Sequence, residues 1–229
     1  MLNAALVLGI DTCGPSGSVA LGRLDASGVE ILGQTELAGR SYSATLVAAV
    51  RELLERHGVA LKQLGVIVAV SGPGSFTGVR VGLAAVKGLA EPAGLKVVAV
   101  SRLAVLARKA QTASAALDAH RHEVFLRVGE QGAEPRELLA SAVELAAINP
   151  RPVRIGVCDE GAAALLGGVW PEVELVRVPA PTAGDALEVA APRVLAGEFA
   201  DVALLDGHYL RRSDAEIFGE PATAGLRQA

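Results

Sequence analysis

Apolar positions in the first hundred residues form short unbroken runs separated by turn residues, with two stretches of helical period between them. Ala5–Asp11 is a continuous apolar run ending on a carboxylate, as a buried central strand does. Residues 12–17 are turn formers, and 18–22 resume as a strand. Residues 29–37 alternate less cleanly and predict a third strand. Leu46, Val50, Leu53 and Leu54 recur at helical spacing, so 43–57 is predicted as a helix that Gly58 stops. A buried strand over 66–70 runs into a Gly-rich turn. A helix over 76–90 follows, which Pro92 and Gly94 should break, and then a strand, Lys96–Val100, with Ser101 placed to cap another helix.

A tight turn straight after the first acidic strand argues against a Rossmann unit, which would place a helix there. The βββαβα order predicts an α/β, actin-like/sugar-kinase-like ATPase fold of two lobes, each a mixed sheet flanked by helices. The second half repeats the theme more weakly: strands at Ser114–Asp118, 122–128 and 153–158, helices at 141–148 and 182–196. The expected organisation is a first lobe over 1–101 and a second over 102–218, its C-terminal segment packing back on the first. The tail 219–229 lacks periodicity and is expected to be flexible.

Composition narrows the class. Hydrophobic residues make up 51% of the 229, enough for a large core, while aromatics are only 3%, so small residues must fill it. The formal charge of −4 provides no basic face, which an RNA-gripping protein normally carries. Cys13 and Cys158 are far apart and form no metal or disulfide spacing. The apolar start has no basic leader and meets Asp11 early, and the longest uncharged stretch is broken by glycine and proline. No signal peptide or membrane span is expected, and cytoplasm is the expected compartment.

The segment Ser71-Gly72-Pro73-Gly74-Ser75-Phe76-Thr77-Gly78-Val79-Arg80 follows a strand and opens a helix. Its glycines permit close approaches, Ser75 or Thr77 is placed to cap the helix, and the free amides there suit an anion. It lacks the Gly-Lys-Ser/Thr ending of a P-loop. Gly78, Gly82, Ala85 and Gly88 then form a smooth helical stripe. Glycine inside a helix costs about 1 kcal/mol relative to alanine, so close packing must compensate. Residue chemistry leaves open whether that packing is internal or against a partner.

The run SGPGSFTGVRVGLAAVKGLA closely resembles the signature of the TsaB (YeaZ) family, the dimerisation subunit of the bacterial complex making N6-threonylcarbamoyladenosine beside the tRNA anticodon. GIDTCGPSGSVAL, LDAHRHEVFLRV and HYLRRSDAEIF agree with the family in order and spacing, and Cys13 stands where a serine is commoner. The resemblance implies an actin-like fold without transferase activity of its own. It also implies a partner surface on the first-lobe helices, made by Leu46, Val50, Leu53, Gly78, Val79, Gly82, Ala85 and Val86. The implied partners are a TsaD-like catalytic subunit and a TsaE-like ATPase, with tRNA engaged only through the complex. A homodimer is expected in isolation, and ATP or ADP only at the interface with the partner. The metal-binding HxxxH helix of TsaD has no counterpart here: residues 101–106 contain no histidine.

Other candidates are weaker. Asp11 ends a strand where actin-like ATPases place a phosphate-side carboxylate, with Thr12, Ser16 and Ser18 beside it; turn capping explains them equally well. His120 and His122 would share a strand face without a carboxylate pair, a poor metal site. Asp159-Glu160-Gly161 reads as a helix start, and Arg80 as a surface ion-pairing residue. Tyr42 stands where the family often has histidine. Two alternatives are a stand-alone ATPase or kinase, which needs a second phosphate turn, and a metallopeptidase, which needs HExxH or HxxxH ligands that the sequence lacks.

Overall fold

The computed structural model describes residues 4–39, 41–129 and 134–211. The tail 219–229 lies outside them. Strands β1 (Ala5–Asp11), β2 (Ser16–Asp25), β3 (Gly28–Ala38), β4 (Leu64–Val70) and β5 (Lys96–Val100) form one sheet in the order β3-β2-β1-β4-β5. β1 pairs antiparallel with β2 and parallel with β4. The apolar run of β1 is buried because it is central. Helices α1 (Tyr42–Arg56) and α2 (Phe76–Ala93) pack together on one face.

Strands β6 (Ser114–Asp118), β7 (Glu123–Val128), β8 (Arg136–Ser141), β9 (Arg154–Val157) and β10 (Glu174–Arg177) form a second sheet, ordered β10-β9-β6-β7-β8. The topology of the first sheet is repeated strand for strand, antiparallel and parallel neighbours included. Helices α4 (Ala142–Ala147) and α5 (Glu160–Val169) occupy the places of α1 and α2.

The helix that follows each sheet crosses to the other lobe. α3 (Arg102–Lys109) packs on β6, β7 and β9, whereas α6 (Ala183–Ala196) packs across the first sheet. Alternation along β2 shows why both faces are covered. Gly17 faces the Tyr42 ring of α1, while Ser18 accepts the Ala183 amide of α6 at 2.8 Å. α3 and α6 touch between the lobes, where Lys109 meets Asp185 at 2.7 Å.

Helix starts follow the cap residues. Ser75, Ser101, Ser141, Asp159 and Thr182 each accept a backbone amide of the helix they open. Pro92 does not end α2. It removes only one backbone bond, to exposed Gly88, and the helix runs on to Gly94, whose φ of 65° closes it. β8 and β10 were not expected. His120 and His122 do not share a strand face: with Arg121 they form a turn of three positive-φ residues (59°, 55° and 61°), and β7 begins only at Glu123.

Candidate functional site

The two strand-to-strand corners, 11–16 and 118–123, face each other across a cleft of about 660 Å³. Its lining includes Tyr42, Ser75, Thr77, Arg102, Asp118 and Asp159. In this fold the carboxylate ending β1 is the group that would face a metal-bound phosphate. Here Asp11 is not free. Its Oδ1 accepts the Cys13 amide at 2.8 Å, and its Oδ2 faces Arg102 Nε at 3.5 Å. Both side chains are buried, at 1% and 6% exposure, and neither of the facing atoms has a hydrogen bond. Burial, the largest influence, works against the Arg102 cation, but Asp11, Cys13, Cys158 and Tyr42 together outweigh it and hold the guanidinium above its ordinary value. A guanidinium occupying that position does not suit a metal–nucleotide complex, so the implied nucleotide does not fit this corner.

Two of the other three nucleotide candidates are also committed. Thr12 Oγ1 donates to the Gly78 carbonyl at 2.7 Å, and Ser18 Oγ holds α6. Ser16 is exposed at the start of β2. Tyr42, buried beside them, donates its hydroxyl to the Gly14 carbonyl at 2.9 Å; burial and the nearby Asp11 push its pKa to about 12. Thr12, Ser18 and Asp11 therefore brace the corner rather than offering oxygens to a ligand.

The Gly-rich turn is a clamp. The Ser75 amide donates to the Cys13 carbonyl at 2.8 Å, and the Arg102 amide donates to the Gly72 carbonyl at 2.6 Å. The His208 amide donates to the Ser71 carbonyl at 2.7 Å. Gly72 has φ 111°, and Gly72–Pro73 is cis. A Cβ on Gly74 would overlap the Cys13 carbonyl, so only glycine lets the turn lie on β1. Thr77 is exposed at the cleft mouth. Arg80 forms a stack rather than the expected ion pair, its guanidinium 3.7 Å over the Phe76 ring.

The expected partner surface needs correction at the residue level. Leu46, Val50, Leu53, Val79 and Val86 are core residues, each at 2% exposure or less. Gly78 and Gly82 face inward, where a Cβ would overlap the Thr12 carbonyl and hydroxyl respectively. Their close packing is therefore internal, of α2 on the end of β1. Ala85 alone of the eight is partly exposed, and among the described residues no atom lies within 4 Å of a Cβ on exposed Gly88. The outward faces are Ala44, Val47 and Arg51 of α1, and Thr77, Ala84 and Gly88 of α2.

Sequence reasoning missed Arg102, whose signal was one cation inside the apolar run 97–107. It also missed Glu137 on β8. This buried carboxylate accepts Ser101 Oγ at 2.6 Å and Arg127 at 2.6 Å, and meets His208 Nε2 at 2.8 Å. Burial raises its pKa, but those three partners more than offset that and hold it below its ordinary value. Glu137 thereby ties the second lobe to the α3 cap and to the C-terminal segment that reaches the Gly-rich turn. Among the described residues no group of three or more His, Cys, Asp or Glu is placed to hold a metal. No helix among them is long and apolar enough to cross a membrane.

Two lobes of repeated topology around a cleft, with exchanged helices, define the actin-like class of α/β proteins. The family model for "TsaD: tRNA N6-adenosine threonylcarbamoyltransferase" matches residues 32–151, just over half of the chain. The chain belongs to this family, on its TsaB (YeaZ) side. It is 38% identical over 96 residues to "tRNA threonylcarbamoyladenosine biosynthesis protein TsaB" of Haemophilus influenzae, covering 39% of this chain and 41% of that one. To the Escherichia coli protein of the same name it is 34% identical over 128 residues, 52% of each. The chain spans about half the length of the curated relatives it matches. A solved Pseudomonas aeruginosa structure, described as similar to peptidase YeaZ, superposes with a TM-score of 0.73 at 28% identity, covering 90% of this chain and all of that one.

Proposed function

We propose that this chain is a non-catalytic subunit of a complex that forms N6-threonylcarbamoyladenosine on tRNA, working with a TsaD-like catalytic partner. The observation carrying the non-catalytic part is the Asp11–Arg102 pair: the carboxylate that ends β1 is buried behind the cleft and faces a guanidinium. The relatives' names support the pathway. A stand-alone ATPase would need Asp11 free to face a metal-bound phosphate, and a metallopeptidase would need a ligand group that the described residues do not provide. ATP or ADP, in this reading, is held at the junction with the partner, where a TsaE-like ATPase joins.

The partner surface is the exposed side of α1 and α2, built on Ala44, Val47, Ala84, Ala85 and Gly88, small enough for two helix pairs to approach closely. The same side supports self-association when the partner is absent. The test is co-purification with the TsaD-like protein of the same cell, followed by tRNA modification with and without this chain. Modification that proceeds equally well without it defeats the proposal, as does enzymatic-rate ATP hydrolysis by the isolated chain.

A further inference from the structure

A second surface lies on α2 away from the cleft, bordering the proposed partner surface at Ala84. Phe76, Arg80, Ala84 and Lys87 of the helix meet Leu205, Asp206 and Tyr209 of the C-terminal segment around a groove of about 360 Å³. Phe76 and Tyr209 are large rings left 41% and 38% exposed on a chain with few aromatics. Their centroids are 5.3 Å apart, tilted by 47°, which leaves no room for a third ring between them. The Arg80 guanidinium lies 3.7 Å over Phe76, with its Nε 3.4 Å from the Tyr209 hydroxyl. One plane of that cation is thus held by a ring, and Arg80 is exposed. Lys87, two helical turns on, lies about 10 Å further along the axis, its ammonium 3.3 Å from the Ala203 carbonyl.

A fixed guanidinium plane backed by aromatic rings, with a second cation along the same groove, is the arrangement on which unpaired bases stack while their phosphates meet positive charge. Among the described residues lining the groove, two cations stand against one carboxylate, Asp206, which already accepts the Gly207 amide at 2.7 Å, a sign opposite to that of the whole chain. We infer that the Phe76–Arg80–Tyr209 deck is a stacking platform for an unpaired RNA nucleotide, with Lys87 on a neighbouring phosphate. An acidic protein segment is the competing occupant, but it would leave the open guanidinium plane without a flat partner. The platform extends the tRNA reading, rests on it only for the source of the RNA, and is absent from the Gly-rich turn's internal bonding.

Fluorescence anisotropy of the full chain with labelled octa-adenylate at low salt tests it. The expected result is weak saturable binding, tighter than to a duplex of equal length. Arg80→Ala and Tyr209→Ala should each weaken it by about fivefold to a hundredfold, the range for loss of one stacked base. Tyr209→Phe should retain most of it, and Lys87→Gln should lower the salt slope by about one ion. Arg80 is exposed, so its variant keeps the fold even if Tyr209→Ala loosens the C-terminal segment. No saturable binding, equal binding by Arg80→Ala, or tighter binding of a Glu/Tyr-rich peptide overturns the platform. The assay needs neither partner nor modification: RNA binding without a role in modification defeats the functional proposal alone, and full modification by an Arg80→Ala chain that binds RNA like wild type defeats the platform alone.

Discussion

The two lobes share a topology and even a local device, yet they close it differently. Asp11 ends β1 and its Oδ1 accepts the amide two residues on; Asp118 ends β6 and does the same with His120, both at 2.8 Å. In the first lobe the other oxygen is buried against Arg102. In the second it faces His120 at 3.0 Å, on a side chain 86% exposed. The helices diverge as well, since α1 has 15 residues and its counterpart α4 has six. A repeated fold can thus keep one strand–turn corner in both lobes while pairing its second carboxylate oxygen differently, against a cation inside the fold in one lobe and at the surface in the other.

The largest effect expected from breaking this contrast is at Arg102. Arg102→Leu leaves the Asp11 carboxylate buried and unpaired, a loss of about 3–5 kcal/mol. Asp118→Asn keeps the turn-capping oxygen and loses only an exposed pair, within about 1 kcal/mol. Denaturant unfolding of both variants checks the difference; equal, small losses would mean that the first corner is as open as the second.

Next come the ties that hold the exchanged helices. Gln34 on β3 accepts the Gly184 amide at the start of α6 at 3.0 Å, and Glu137 on β8 accepts the Ser101 cap of α3. The first tie is neutral, the second charged. Glu137→Gln makes them alike, and losing charge-assisted bonds should cost about 1.5–3 kcal/mol at neutral pH. Because the folded-state pKa of Glu137 lies below its ordinary 4.5, its contribution is complete above that value and drains as pH falls through the folded one. Melting temperature against pH should therefore fall less steeply below about pH 4.5 in the variant than in the wild type.

A third contrast lies within α2. Gly78→Ala drives a methyl into the Thr12 carbonyl, backbone that cannot step aside, and should cost about 1–3 kcal/mol by overpacking. Thermal melting decides it: an unchanged midpoint would place that face of α2 away from β1.

Much of this was legible in the sequence, and the reasons differ by element. The central strands were readable because they are buried on both sides and so continuously apolar. The starts at Ser75, Ser101 and Asp159 were readable because a side-chain acceptor before a helix is a local signal. β10 (ELVR) was not, since four residues with charges at both ends carry no period. The Asp11–Arg102 pair joins residues far apart in the chain, so no local pattern announces it. The glycine stripe was seen, but its direction was misread, because periodicity gives a face and not what the face meets. Thr12, which meets it, sits in a turn whose path the sequence leaves open.

The smallest effects separate the outward glycines of the two lobes. Gly88 on α2 and Gly167 on α5 are both exposed, and a Cβ at either meets nothing within 4 Å. Replacing either with alanine should stabilise its helix by up to about 1 kcal/mol, less for Gly167 because it lies near the end of a shorter helix. Leucine at either position should leave the melting temperature close to wild type, since a Cβ there meets none of the described residues. The two should part only when the partner is present. On the proposed surface, Gly88→Leu holds two helix pairs apart and should reduce co-purification with the TsaD-like protein, and tRNA modification with it, while Gly167→Leu changes neither. Equal behaviour of the two leucine variants in co-purification would move the partner surface off the first-lobe helices, leaving the internal packing of Gly78 and Gly82 untouched.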